Sequence, residues 1–342
     1  MKRVLSLFSC ILLLLMLPGC NKTPHNQYQR YSDSFFDTFD TMIQVVAYTK
    51  NEAEFQAYYE RIHTRFQELH RLYDIYNNYP GINNVKTIND NAGIKPVQVA
   101  QEIIDLITFA KDWAGQTGGK TNIALGPVLK IWHDYRTTAL DHPEKAELPP
   151  TEMLRTAAQY TDLDRVIIDR ENSTVFLTDS KMSLDVGALA KGFATELVTQ
   201  EIMAAGFTSG AINAGGNMRT IGKPLDGVRE RWAIGIQNPD KSIIADDRLL
   251  DTIFVNDASI VSSGDYQRYY LVDGEIIHHL IDPQTLFPAT HYQAVTIVTK
   301  DSRLADFLST TAFLTPYPES REMIENLDGV DASGLCLPVI LK

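Results

Sequence analysis

The sequence is poor in cysteine, in basic charge and in long apolar runs, and each shortage excludes a class of protein. Three cysteines occur in 342 residues, and two of them, Cys10 and Cys20, fall near the N-terminus. That is too few for a disulfide framework. Lys and Arg number 31 against 43 Asp and Glu, for a formal charge of −12. So acidic a chain argues against a nucleic-acid partner and against electrostatic adhesion to anionic lipid. A phosphate ligand stays open, provided that a bound cation supplies local positive charge. The longest strongly apolar run, Ile11 to Leu17, is too short to cross a bilayer as a helix. No internal repeat and no low-complexity block is present.

What is there begins at the N-terminus. Lys2 and Arg3 precede the apolar run, and Leu17-Pro18-Gly19-Cys20 follows it, the order of a secretory signal. The tetrapeptide resembles the lipobox of bacterial lipoproteins. That resemblance implies cleavage after residue 19, lipidation of Cys20, and a chain anchored at the extracytoplasmic face of the bacterial cell membrane. Residues 20–37 then read as a tether, polar from Asn21 to Arg30, ahead of a domain spanning 38–342. Cys10 leaves with the signal and Cys20 carries lipid, so Cys336 is left alone.

Along the domain, Ile43 to Tyr48 reads as a strand. Asn51 and Glu54 look like the start of a capped helix, and apolar residues recur at helical spacing over Glu52 to Tyr73. Asn77 to Gly93 reads as a loop, Gln98 to Trp113 as a helix broken at Gly115 to Gly119. Asp141 to Pro150, with three prolines, is the candidate internal boundary. A hairpin is expected from Arg165–Asp169 and Thr174–Leu177, and a helix from Ala188 to Ala205, closed by Gly206. Beyond Ala211 come mostly strands: Trp232–Gln237, Thr252–Val255, a hairpin from Tyr266 to Ile281 with Asp273-Gly274 at its tip, and Ala294–Thr299. A helix over Ser302–Phe313 follows. Strands and helices do not alternate regularly, which favours an α+β fold.

Four stretches could carry chemistry. Asp185-Val186-Gly187-Ala188 puts a carboxylate before a helix N-terminus, where it either caps the helix or marks an anion site. Asn213-Ala214-Gly215-Gly216-Asn217 is either a plain turn or a place where backbone approaches a ligand. Ser262 to Tyr266 faces His278-His279-Leu280-Ile281-Asp282-Pro283. Strand alternation there puts Ile277, His279 and Ile281 on one face and His278 on the other. Asp306 and Thr310, at i,i+4, lie together away from the apolar stripe of their helix. They form either a solvated polar face or a pair of hard oxygen ligands suited to Mg²⁺.

Taken in order, these stretches resemble the FAD:protein FMN transferase (ApbE) family. The resemblance also covers Phe39-Asp40-Thr41, Asn122-Ile123-Ala124-Leu125-Gly126-Pro127 with Trp132, and Ser183 to Gly192. It implies an α+β domain of mixed or antiparallel sheets with packed helices. It implies FAD as substrate, Mg²⁺ as metal, and transfer of FMN to a Thr or Ser hydroxyl of redox proteins outside the cytoplasm, with AMP released. Asp306 and Thr310 would hold the metal with the Ala188 carbonyl. Phe39, Lys120, Thr121, Asn122, Asp185, Lys191 and His279 would meet FAD, and His279 would handle a proton beside Asp306. Many relatives carry Met-Gly-Thr in place of Phe39-Asp40-Thr41, and Asp in place of Asn122. A Mg²⁺-dependent FAD pyrophosphatase would use the same parts, and a flavin carrier would need the Asp306–Thr310 pair less. Ser209-Gly210-Ala211 lacks a hydroxyl at Ile212, so the chain reads as the modifier and not its own target.

Overall fold

The computed structural model describes residues 27–241 and 244–327. The stretch expected to be a signal segment, Cys20 and Cys336 lie outside the described residues. Strands β1 (Gln29–Thr38) and β2 (Thr41–Thr49) form a first hairpin, followed by helix α1 (Glu52–Tyr73). β1 pairs with β2 from Gln29 onward and buries Phe35, so a tether reaching residue 37 is ruled out. α1 has the expected limits. Asn51 accepts the Glu54 N–H at 2.9 Å, and the Glu54 carboxylate reaches back to the Lys50 N–H at 2.8 Å. That is one residue beyond the partner of a reciprocal capping box.

The stretch 77–93 is not all loop, because α2 (Val85–Asp90) forms within it. Asn84 caps this helix and Val85 and Ile88 anchor it in the core, so an asparagine taken for a loop residue serves as a helix start. β3 (Val97–Gln98) takes the first residue expected of the next helix, and α3 (Gln101–Gln116) starts later and runs through Gly115. α4 (Gly126–Asp141) and α5 (Thr151–Ala158) share one apolar cluster through Ala139 and Leu154. The proline-rich connection between them is therefore no domain boundary. β4 (Val166–Asp169) and β5 (Thr174–Leu177) form the expected hairpin, and α6 (Ala190–Ala204) ends before Gly206 at φ +98°.

The rest of the chain supplies β6 (Gly210–Ala214), β7 (Asn217–Ile221), β8 (Trp232–Gln237), β9 (Leu249–Val255) and β10 (Ser259–Gly264). Then come β11 (Tyr269–Val272), β12 (Glu275–His278), β13 (Ala294–Thr299), α7 (Ser302–Phe313) and α8 (Tyr317–Glu325). Six strands make the main sheet in the order β1-β2-β6-β7-β10-β13, with every neighbour antiparallel. The fold is α+β, as expected. Helices α1, α3 and α6 bury Phe66, Ile103 and Phe193 in one core with sheet residues such as Ile43 and Ile212. α7 packs Phe307 and Leu308 with Val295 and Ile297. The β8–β9 ribbon covers Tyr48 and Ile260 with Trp232, Ile234 and Ile236. A smaller cluster joins Trp132, Leu154, Tyr270 and Ile281, and a cavity opens between it and the helices.

Two tight turns meet at the rim of that cavity. Phe39 and Asp40 join β1 to β2 with φ of +55° and +49°, the pattern of a type I′ turn that favours Asn or Gly. Gly215 and Gly216 join β6 to β7 at φ +59° and +96°. A Cβ on Gly215 would fall 2.2 Å from Thr41 Oγ1, so the two turns can pack only with glycine there. Asp40 has no such relief. Asp40→Gly is expected to raise stability by about 0.5–1 kcal/mol, read as a higher melting temperature. A lower melting temperature would mean that Asp40 makes folded-state contacts worth more than the backbone strain.

Candidate active site

The cavity has a volume of about 590 Å³, within the range of cofactor sites. Its deepest acid is Asp306, 4% exposed on α7. No solvated polar face exists on this helix: Ser302, Ser309, Thr310 and Thr311 are buried with it. Ser309 and Thr311 return their hydroxyls to the helix carbonyls of Asp306 and Phe307 at 2.9 and 3.0 Å. Among the described residues Thr310 makes no such bond, and it lines the cavity. Burial pushes the Asp306 carboxyl pKa up, against the opposing pull of Lys191, the Gly192 N–H and the nearby Asn217 amide. The Asn217 Nδ2 is buried without a hydrogen-bond partner.

The start of α6 frees a third oxygen donor. Ala188 lies before the helix, which begins at Ala190. Helix continuation would send the Gly192 N–H to the Ala188 carbonyl, but it donates to Asp306 Oδ2 at 2.8 Å. The Ala188 carbonyl loses its helical donor, and Ala188 lines the same cavity as Asp306 and Thr310. Among the described residues no three His, Cys, Asp or Glu side chains gather around one point. One buried carboxylate, a hydroxyl and a backbone carbonyl are hard oxygen donors, and they fit Mg²⁺.

His279 lies outside β12, which ends at His278. The face-sharing expected of Ile277, His279 and Ile281 is therefore broken by a bend. His278 is packed: its Nδ1 accepts the Leu280 N–H at 3.2 Å and its Nε2 donates to the Ala289 carbonyl at 2.8 Å. His279 lines the cavity and places Nδ1 3.2 Å from the Arg268 carbonyl. A carbonyl only accepts, so Nδ1 carries the proton and Nε2 keeps its lone pair. Burial, with Arg268, His278, Lys191 and Arg136 adding repulsion, pushes the His279 pKa down to about 3.

Asp185 caps a turn and not α6. Its Oδ1 accepts the Gly187 N–H at 2.9 Å, whereas the α6 cap, Leu189, offers no side-chain bond. Phe39 packs its ring edge-on to Phe66 and His70, and its N–H donates to His70 Nδ1 at 3.3 Å. Lys120, Thr121 and Asn122 line the wall with their polar groups engaged. Lys120 Nζ holds Asp282 at 3.1 Å and Gln284 at 2.9 Å, and Thr121 bonds Thr311 at 2.7 Å. Asn122 donates to the Thr161 carbonyl at 2.9 Å and accepts the Ala124 N–H at 2.8 Å. All the sequence-expected site residues within the fold thus border one cavity.

The sequence model of the ApbE family matches residues 39–333. The chain belongs to the ApbE family. A relative named FAD:protein FMN transferase, from Treponema pallidum, is 31% identical over 85% of this chain and 81% of its own length. One of the same name from Klebsiella pneumoniae is 30% identical over 78% and 79%. The crystal structure of the ApbE protein of Thermotoga maritima superposes with a TM-score of 0.74 at 28% identity, covering 87% of this chain and 91% of that one.

In this ApbE chain the cavity also recruits residues that motif reading missed. Tyr76, His133, Arg136, Gln267 and Arg268 face it. The Tyr76 ring lies 5.4 Å from that of His133, and Arg136 Nη2 donates to His133 Nδ1 at 3.0 Å. The i,i+3 spacing of His133 and Arg136 behind Trp132 was the one local signal for them.

Proposed function

We propose that this chain transfers FMN from FAD to a Thr or Ser hydroxyl of extracytoplasmic redox proteins, releasing AMP, with Mg²⁺ required. The observation that carries the reading is the diversion of the Gly192 N–H to Asp306, which leaves the Ala188 carbonyl to join Asp306 and Thr310. Bound Mg²⁺ would neutralise phosphate charge and polarise the phosphorus under attack. Lys191, which lines the cavity with Asp306 and His279, would add positive charge beside the same phosphate. His279 Nε2, unprotonated at neutral pH, accepts the hydroxyl proton of the acceptor. Asp185, Phe39 and the Lys120–Asn122 wall would border the flavin nucleotide. A lipid on Cys20 would hold the enzyme at the extracytoplasmic membrane face, where its acceptors are.

The test incubates the full-length chain, in mild detergent, with FAD, Mg²⁺ and an acceptor peptide carrying a threonine, and follows peptide mass and AMP. A gain of one FMN, abolished by chelator, supports the transferase. AMP and free FMN beside unmodified acceptor would make it a hydrolase, and FAD left intact would end the enzymatic reading. With Mg²⁺ saturating, His279→Ala is expected to slow transfer about 10²-fold. Because the imidazole is held neutral down to about 3, the pH profile of kcat/KM should lack a limb near the ordinary histidine value. A near-normal rate for the variant would remove His279 from the mechanism.

A further inference from the structure

Arg136 projects from α4 and Arg268 precedes β11, and both line the cavity. Among the described residues neither forms an ion pair with a carboxylate, whereas Arg65, Arg165, Arg219, Arg229, Arg303 and Arg321 each do. Exposed arginines such as Arg61, Arg71 and Arg155 also lack a carboxylate partner, but among the described residues Arg136 is the unpaired arginine that is half-buried, and it lines one cavity with the exposed Arg268. Burial and the repulsion of Arg268 lower the pKa of Arg136, a cost that an anion between the two would remove. The Arg136 fork is also oriented, by its 3.0 Å bond to His133 Nδ1. Burial and Arg136 itself hold His133 toward its neutral, accepting form. Asp185 is the acid that senses both arginines, but its Oδ1 is engaged by Gly187 and it stands beyond ion-pair distance of either.

Asp306 senses Lys191, Asp185 senses Arg268 and Arg136, and His279 senses all three cations. His279 Nδ1 bonds the Arg268 carbonyl at 3.2 Å, so the histidine adjoins Arg268, and Asp306, Thr310 and Ala188 border the same cavity. A pyrophosphate bound in this cavity would offer one phosphate to the Asp306 corner and the other to the arginine pair.

We propose that Arg136 and Arg268 form a second anion subsite, which binds the adenylate phosphate of FAD and retains it as the AMP leaving group. The proposal rests on the transferase reading. In that step the acceptor oxygen bonds to the FMN phosphorus as the bond from that phosphorus to the bridging oxygen breaks. The bridging oxygen departs with its electron pair on AMP, and the hydroxyl proton goes to His279 Nε2. The departing phosphate gains one negative charge, and the paired guanidinium groups are where that charge appears. His133 is a positioning residue for Arg136.

Binding of AMP and of adenosine to the full-length protein, measured by calorimetry with chelator present, reads this subsite without metal and without turnover. The wild-type chain is expected to prefer AMP by at least about 30-fold, and Arg136→Gln and Arg268→Gln are each expected to cut that preference about tenfold. Arg136→Lys keeps the charge but not the fork and should fall between. Should Arg136→Gln not fold, the lysine variant and Arg268→Gln carry the same comparison. An unchanged preference in the glutamine variants overturns the subsite, as does a wild-type chain that transfers FMN but does not distinguish AMP from adenosine. A raised acceptor KM with the AMP preference intact also overturns it, and gives the arginines to an acceptor carboxylate. A wild-type chain that prefers AMP but transfers no FMN supports the subsite and removes the transferase reading instead.

Discussion

Asp306→Asn is expected to stop FMN transfer, by about 10³-fold or more, while making the metal-free protein more stable. Both effects come from one buried group. Burial raises the Asp306 pKa above its unfolded value of 3.8, so the folded chain binds the extra proton more readily than the unfolded one. Stability is then lost as pH rises from the unfolded value through the folded one. Asparagine keeps an acceptor for the Gly192 N–H but carries no charge to bury. At neutral pH the gain should be about 1–2 kcal/mol, or a few degrees in melting temperature, and it should vanish toward pH 4. The wild-type chain should instead gain its stability from Mg²⁺ titration, and the variant should show no Mg²⁺-dependent shift. A variant that melts below the wild type in chelator, at neutral pH, would mean that the carboxylate is already compensated in the folded chain.

Gly192→Ala should damage both fold and site through a single methyl group. An ideal Cβ at Gly192 falls 2.4 Å from the Ser302 carbonyl oxygen and 2.5 Å from Asp306 Cβ. Neither neighbour is a flexible tip, so α6 and α7 must separate. The same helices are joined by Glu196, whose buried carboxylate accepts from Arg219 Nε at 3.1 Å and from the Ser302 N–H at 2.9 Å. Separation stretches that link as well. The expected cost is about 1–3 kcal/mol, with transfer falling at least about 10²-fold because Asp306, Thr310 and the Ala188 carbonyl lose their mutual placement. Thermal melting and kcat, measured with saturating Mg²⁺, check the two halves. Wild-type values for both would show that the helix crossing has room to spare.

The elements with strong local rules were legible in the sequence. α1 and α7 have the limits that periodicity assigns them, and Asn51 and Asp301 cap them through side-chain bonds. β8 and β13 also match their expected spans. The i,i+4 pair Asp306 and Thr310 was visible, but the meaning of its helix face was not. A polar stripe looks the same whether it meets water or a cavity, and here Asp306 and Thr310 are both buried. Gly192 in a helix reads as a propensity penalty until Ser302 is known to press against it. Arg136 and Arg268 have no shared local pattern, because their pairing depends on α4 and the β11 hairpin folding over the same space. The bend after β12 escaped for a similar reason: His278 is claimed by Ala289, a partner outside its own strand.

The strand order has a consequence for how the chain assembles. Read across the main sheet, β1, β2, β6, β7, β10 and β13 follow their order in the chain. Each new strand adds to the edge left by its predecessor, and none is inserted between two already paired. A polypeptide emerging N-terminus first, from a ribosome or through a membrane pore, can therefore build this sheet vectorially without reopening a completed pair. Helix α7, which carries Asp306 and Thr310, comes after the last strand, so a chain stalled before residue 302 can hold its sheet and still lack one wall of the cavity.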